Sequence, residues 1–314
     1  MRLPALSTAA LLLAACTVPP PRSQPAAPPA EVPRTIAAAW ASPVTSPPAA
    51  LASWTDKAGA VQLIVATPDG LALRDGDTGT GVGPPAGAPL AAPAGVAVFG
   101  DHLFVASSGG VQVLSLPGFA PVGRFGDGVV AQPGALWVDE GGPDELRVHV
   151  ADPANARVAR FLVLFDDAGR LQARADGGFA TTAAPLRLAG DPADARLLVA
   201  DAGGVRAYDA DGHADRRALP AATGLALWSC PDGGGYWLLA GANGEVGLLD
   251  RATLAPRGRF RDAAGRTLGA LELRAAGSPR FPAGALYAAA GNGVQAYDLR
   301  EIATALDLAP DCVQ

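Results

Sequence analysis

A chain of 314 residues is long enough to bury the core of one large all-β domain or of two smaller ones. A charged fraction of 17% and a net charge of −6, spread along the chain without clusters of Lys and Arg, exclude a phosphate-backbone binder, so nucleic acid is not an expected partner. Hydrophobic residues make up 49% but aromatic ones only 6%, and Gly 39 with Pro 29 suits many short strands joined by tight turns.

Residues 1–15 read as a signal peptide. Arg2 supplies a positive n-region, Leu6 to Leu13 with their alanines form an apolar core, and the segment closes on Leu13-Ala14-Ala15-Cys16. This ending resembles the lipobox of bacterial lipoproteins, which implies acylation of Cys16 and a membrane attachment through that lipid anchor. The alternative is an ordinary signal peptide that ends near a cysteine. The apolar run is shorter than the roughly 20 residues a membrane-spanning helix needs. Thr17, a non-acidic residue after the cysteine, favours the outer membrane, facing the periplasm or the cell surface. Residues 16–34 form a tether in which Pro19, Pro20, Pro21, Pro25, Pro28, Pro29 and Pro33 favour extended polyproline II, at about 3.1 Å per residue.

Residues 35–314 repeat one pattern six times: an apolar triplet ending in Ala, a turn bearing Gly or Asn, then a second apolar strand. The triplets end at Ala66, Ala106, Ala151, Ala200, Ala240 and Ala288, at spacings of 40, 45, 49, 40 and 48 residues. Each interval holds about four short strands, the content of one propeller blade, so the predicted fold is all-β, a six-bladed β-propeller behind a signal peptide and a Pro-rich linker. A long sandwich or two smaller β domains are the alternatives. The triplets are expected to crowd the central axis, with outer elements upstream at Gly95 to Val98, Gly134 to Trp137, Gly224 to Trp228 and Gly269 to Glu272. Pro121 to Phe125 and Pro256 to Phe260 are fourth-strand candidates, Thr35 to Ala41 an early strand of the first blade, and Leu299 to Leu308 a short helix.

Cys230 and Cys312 remain after Cys16. In an exported protein this even pair suggests a disulfide, the alternative being two buried free thiols. His102, His149 and His213 each lack a second His at ligand spacing and read as strand or turn residues. Ser107-Ser108-Gly109 reads as a turn, and Gly79 to Gly83 leads into Pro84-Pro85, not into the helix a phosphate loop requires. Asp152 and Asp201 directly follow their anchoring alanines, so two adjacent blades could present them to one channel and hold Ca²⁺. Alternatively each carboxylate caps its own turn. Asp75, Asp209, Asp211, Asp232 and Asp250 fall in hairpin turns.

Thr223-Gly224-Leu225-Ala226-Leu227-Trp228 followed by Asp232-Gly233-Gly234-Gly235-Tyr236-Trp237-Leu238-Leu239-Ala240 resembles the β-propeller phytases. The likeness continues through Arg280 to Tyr287 and Arg300-Glu301-Ile302-Ala303, with fainter echoes at Ile64 to Leu73 and Leu197 to Tyr208. The resemblance implies a six-bladed propeller and Ca²⁺-dependent hydrolysis of phytate, with clustered carboxylates holding cations at the channel mouth. Most of those carboxylates are replaced here. Thr223 and Ala184 stand where the family has glutamates, and Leu268-Gly269-Ala270-Leu271 stands for Asp-Gly-Ile-Asp. Pro68-Asp69 replaces paired lysines, Ala94 to Phe99 replaces an Asn-Asn-x-Asp-x-Arg element, and Ala38-Ala39-Trp40 is the remnant of an Asp-Asp-Pro-Ala-x-Trp opening. Only Asp201 keeps an acid. Several Ca²⁺ ions cannot pack together without the charge that offsets their repulsion.

The expected function is therefore a non-catalytic, lipid-anchored propeller, monomeric, that binds an envelope protein or a small phosphorylated ligand. The alternative is a Ca²⁺-dependent phosphomonoesterase of the phytase type with an altered site.

Overall fold

The computed structural model describes residues 32–313 apart from 84–89, 91, 143–144 and 216. The segments expected to be a signal peptide and, for nearly all its length, a tether, Cys16 included, lie outside the described residues. Among those described, no helix is long and apolar enough to cross a membrane.

The described chain is a six-bladed β-propeller. Blade 1 is Ala50–Thr55, Val61–Thr67, Gly70–Asp75 and Gly81–Gly83; blade 2 is Gly95–Phe99, His102–Ser107, Gly110–Ser115 and Ala120–Phe125. Blade 3 is Leu136–Gly142, Glu145–Asp152, Arg157–Phe165 and Leu171–Ala180. Blade 4 has three strands, Arg187–Asp191, Arg196–Asp201 and Gly204–Tyr208, and two isolated bridges, Val205 with Leu219 and Tyr208 with Ala214, stand in for a fourth. Blade 5 is Gly224–Ser229, Gly235–Ala240, Glu245–Asp250 and Pro256–Asp262; blade 6 is Leu268–Arg274, Ala285–Ala290 and Gly293–Asp298. The innermost strands touch in the order of the blades, and the sixth touches the first.

The N-terminal residues close this ring, which corrects their expected place in the first blade. Arg34–Ile36 pairs in parallel with Pro256–Asp262 at the outer edge of blade 5. Trp40–Pro43 is the outer strand of blade 6, antiparallel to Gly293–Asp298. A last blade completed by the start of the chain ties the two ends of the ring together and covers the outer edge of Gly293–Asp298. Trp40 reinforces it: its ring packs on Tyr287, and its Nε1–H donates to Gly76 O of blade 1 at 3.1 Å.

The order of strands within a blade also differs from expectation. The Gly-led segments are the innermost strands, and the alanine triplets form the second. The glycines are small because neighbouring inner strands nearly touch. A Cβ on Gly95 would stand 2.3 Å from Gly134 O, and one on Gly224 would stand 2.0 Å from Gly269 O. The anchoring alanines keep a common register. Ala49, Ala94, Gly134, Leu186 and Thr223 each donate a backbone N–H to the anchor carbonyl of their blade, at 2.7 to 2.9 Å. Each anchor pairs with the first apolar residue beyond its turn, as Ala106 with Val111 and Ala200 with Val205. By that rule the sixth anchor is Ala289, paired with Val294, one residue later than expected. The run Ala288-Ala289-Ala290 offers no side-chain signal by which to phase it.

Six apolar clusters, one at each seam between blades, form the core. Because a blade is covered on both faces, its second strand is apolar without alternation: Leu63, Ile64, Val65 and Ala66 are all 0% exposed. The chain ends in the expected helix, Leu299–Leu306, capped by the Asp298 carboxylate on Arg300 N. Cys230 and Cys312 form a disulfide across 82 residues, fastening the segment after that helix to blade 5.

Candidate functional site

The central channel holds a cavity of about 310 Å³ bordered by the innermost strands of all six blades. Each of these strands is a sheet edge on the axial side, so part of its N–H and C=O groups face the channel without a ladder partner. The side chains around them are mostly small. Opposite the anchoring alanines stand Ala50, Gly95, Ala135 and Gly224, and two residues further along stand Ala52, Ala97, Ala189 and Ala226.

Two charged residues interrupt this lining. Arg187 occupies the position opposite Ala200, where the other blades carry Ala or Gly. Its Nε–H donates to Thr223 O of blade 5 and its Nη1–H to Leu186 O, both at 2.8 Å, and among the described residues it has no carboxylate partner. Burial lowers its pKa. Glu272, opposite Tyr287 in blade 6, is level with Ala52 and Ala97. Its Oε1 accepts from Ser53 N at 3.0 Å and Ser53 Oγ at 2.6 Å in blade 1. Burial pushes its pKa up to about 7, against the opposing effect of those two hydrogen bonds. Sequence reading missed both residues. Each is conspicuous only once the innermost strands are aligned on the anchors.

Asp152 and Asp201 do not line the channel; each lies at the end of a second strand, on the turn to the third. Asp152 is 0% exposed and ties down the segment ahead of its blade, accepting from Gln132 N at 3.1 Å, Ala131 N at 3.3 Å and Asn155 Nδ2 at 2.8 Å. Arg157 Nε stands 3.5 Å away. Burial alone would raise this carboxyl, but the donors hold it below the usual range. Asp201 accepts from Gly203 N at 2.7 Å and Thr182 Oγ1 at 3.0 Å. Asp201 thus caps its own turn, whereas Asp152 makes no cap bond to its turn's backbone and fastens the segment ahead of the blade.

At the positions the phytase resemblance assigns to catalysis, the side chains serve the fold. Thr223 Oγ1 donates within reach of two carbonyls, Ala240 O at 3.1 Å and Leu268 O at 3.3 Å, joining blades 5 and 6. Leu268, Ala270 and Leu271 are buried apolar residues of blade 6. Asp69 accepts from Thr45 Oγ1 and Ser46 Oγ. His102 stacks on Phe165, and His149 lies against Trp137 with its pKa lowered to about 3 by burial and by Arg147 and Arg160. Among the described residues, one cluster brings three metal-type ligands within 4.8 Å: Asp209, Asp211 and His213, all exposed. Asp209 is occupied there as a turn cap for the amides of Asp211 and His213.

No family model matches the chain, and no curated protein matches it in sequence. Solved structures match it in shape. A chain of the crystal structure of BBS1N in complex with ARL6DN, soaked with mercury, is 16% identical with a TM-score of 0.57, over 84% of this chain and 97% of that one. The lead-soaked form gives 14% and 0.56 with the same coverage. A chain of the Nidogen/Laminin complex gives 15% and 0.51, over 70% of this chain and 82% of that one. At these identities the likeness defines the fold: a six-bladed β-propeller.

Proposed function

We propose that this chain is an exported lipoprotein whose phytase-like propeller binds and does not catalyse. Cys16 anchors it in the outer membrane, the Pro-rich tether holds the propeller off the lipid, and the propeller engages an envelope protein while its channel stays open to a small ligand. The observation that carries the reading is Thr223. Where the resembled family places a cation-binding glutamate, this chain has a hydroxyl bonded to the carbonyls of Ala240 and Leu268, and the channel is lined by only two charged side chains, Arg187 and Glu272. Such a donor set does not fit a multi-cation cluster, which needs several carboxylates in one place. The buried Asp152 and Asp201 are engaged by backbone amides and neighbouring side chains, which supports a structural role for the remaining acids. Solved propeller neighbours are found in protein complexes, BBS1N with ARL6DN and nidogen with laminin, which supports a protein partner.

Cross-linking in intact cells, followed by purification of the full chain, tests this reading. It expects a reproducible envelope protein attached to the propeller, and release of the chain from membranes on Cys16→Ser. A chain that remains membrane-bound as Cys16→Ser, or that recovers no envelope protein, contradicts it.

A further inference from the structure

The central channel holds two opposite charges that do not neutralise each other. Arg187 spends two of its N–H groups on the carbonyls of Thr223 and Leu186 and meets no carboxylate. Glu272 uses one oxygen on Ser53, and its Oε2 has no hydrogen-bond partner among the described residues. Each leans onto the next blade around the ring, from blade 4 to blade 5 and from blade 6 to blade 1. Both residues are half-buried at the channel wall, and a guanidinium and a carboxylate that keep hydrogen-bonding positions free there favour a ligand that supplies the missing counter-charges.

Both groups face one cavity of about 310 Å³, at the small end of ligand sites. Arg187 lies opposite its anchor and Glu272 two positions further along the strands, an offset of about 7 Å at the ordinary rise of a β-strand. The two residues also sit on different blades, the fourth and the sixth, so a ligand joining them reaches across the channel as well as along it, with a charge-assisted hydrogen bond at each end. The rest of the wall, Ala52, Ala97, Ala189, Ala226 and Trp137, offers apolar contact beside the unpaired edge amides and carbonyls. A ligand carrying one charge would satisfy one of the two groups and leave the other without a counter-charge.

We infer that the channel is a binding site for a small zwitterion, a free amino acid or dipeptide, whose carboxylate pairs with Arg187 and whose ammonium pairs with Glu272. This inference rests on the binding reading of the propeller, and the two fail separately. Phosphate release from phytate would overturn that reading, whereas calorimetry tests the ligand class.

The test is isothermal titration of the full chain at pH 8 with the twenty amino acids and a set of dipeptides, each compared with its own deaminated and decarboxylated analogues. The expected result is saturable one-to-one binding of at least one zwitterion, with both single-charge analogues weaker by about tenfold or more. Glu272→Gln, which keeps acceptors for Ser53, is expected to weaken the zwitterion by a similar factor and to leave the deaminated analogue unchanged. Arg187→Gln is expected to weaken the zwitterion and the deaminated analogue alike. No binding by any zwitterion, equal affinity for a deaminated analogue, or indifference to Glu272→Gln overturns the inference.

Discussion

Asp191 and Arg251 form a two-point ion pair across the seam between blades 4 and 5, Nε to Oδ2 at 2.5 Å and Nη2 to Oδ1 at 2.6 Å. Both are buried, and Arg251 also donates to Gly233 O and Gly234 O, while its own carbonyl accepts from Trp237 Nε1. Removing one partner strands the other charge. Asp191→Ala is expected to lower unfolding free energy by about 3–5 kcal/mol in urea titration. Replacing both residues by apolar ones of similar volume is expected to recover much of that loss.

Gly190, beside Asp191, accommodates Trp137 of blade 3. A Cβ there would lie 2.0 Å from Trp137 Cε2, so Gly190→Ala must displace an indole from the seam. Its expected cost is about 1–3 kcal/mol, read from the melting temperature. In the Trp137→Ala background the same substitution should cost clearly less, because the obstacle is gone.

This seam shows where sequence reading succeeds and where it stops. The repeat was legible because the anchoring alanines keep one register with the residue beyond each turn, so Ala66, Ala106, Ala151, Ala200 and Ala240 phase five blades correctly. Strand order within a blade was not legible. When both faces of a blade are buried, first and second strands are both apolar and carry no alternation to separate them. The ring-closing strand Trp40–Pro43 has no pattern of its own; it is fixed by pairing with residues some 250 positions away. Asp152 and Asp201 were visible as candidates, and the cap that Asp201 makes and the upstream segment that Asp152 holds explain them. Arg187 and Glu272 were hidden, since each is unremarkable until compared with the small residues at the same level of the other blades.

The Cys230–Cys312 disulfide closes a separation of 82 residues and fixes the C-terminal tail to blade 5. In the chain-entropy account a loop of this length adds about 4 kcal/mol. Cys230→Ser, Cys312→Ser and the double variant are expected to lower stability equally. A reductant should lower the melting temperature of the parent chain and leave the variants unchanged.

Stability should also fall across neutral pH. Burial raises the Glu272 carboxyl to about 7 and that of Asp139, which faces Arg147, to about 6. A folded state that binds these protons more tightly than the unfolded chain is favoured at low pH. The contribution is complete below the unfolded pKa values and is lost as pH rises through 6 and 7. Glu272→Gln keeps the acceptor for Ser53 without the charge. It is expected to flatten the decline between pH 5 and pH 8, raising stability at pH 8 by about 2 kcal/mol. Urea titrations at the two pH values measure it, and an unchanged slope would count against a desolvated carboxyl in the channel.

The most direct test of a propeller that binds without catalysing is phosphate release from phytate by the purified full chain, with Ca²⁺ and with chelator. The account predicts no release above the protein-free rate in either condition. Ca²⁺-dependent release that disappears in Asp201→Ala would contradict it.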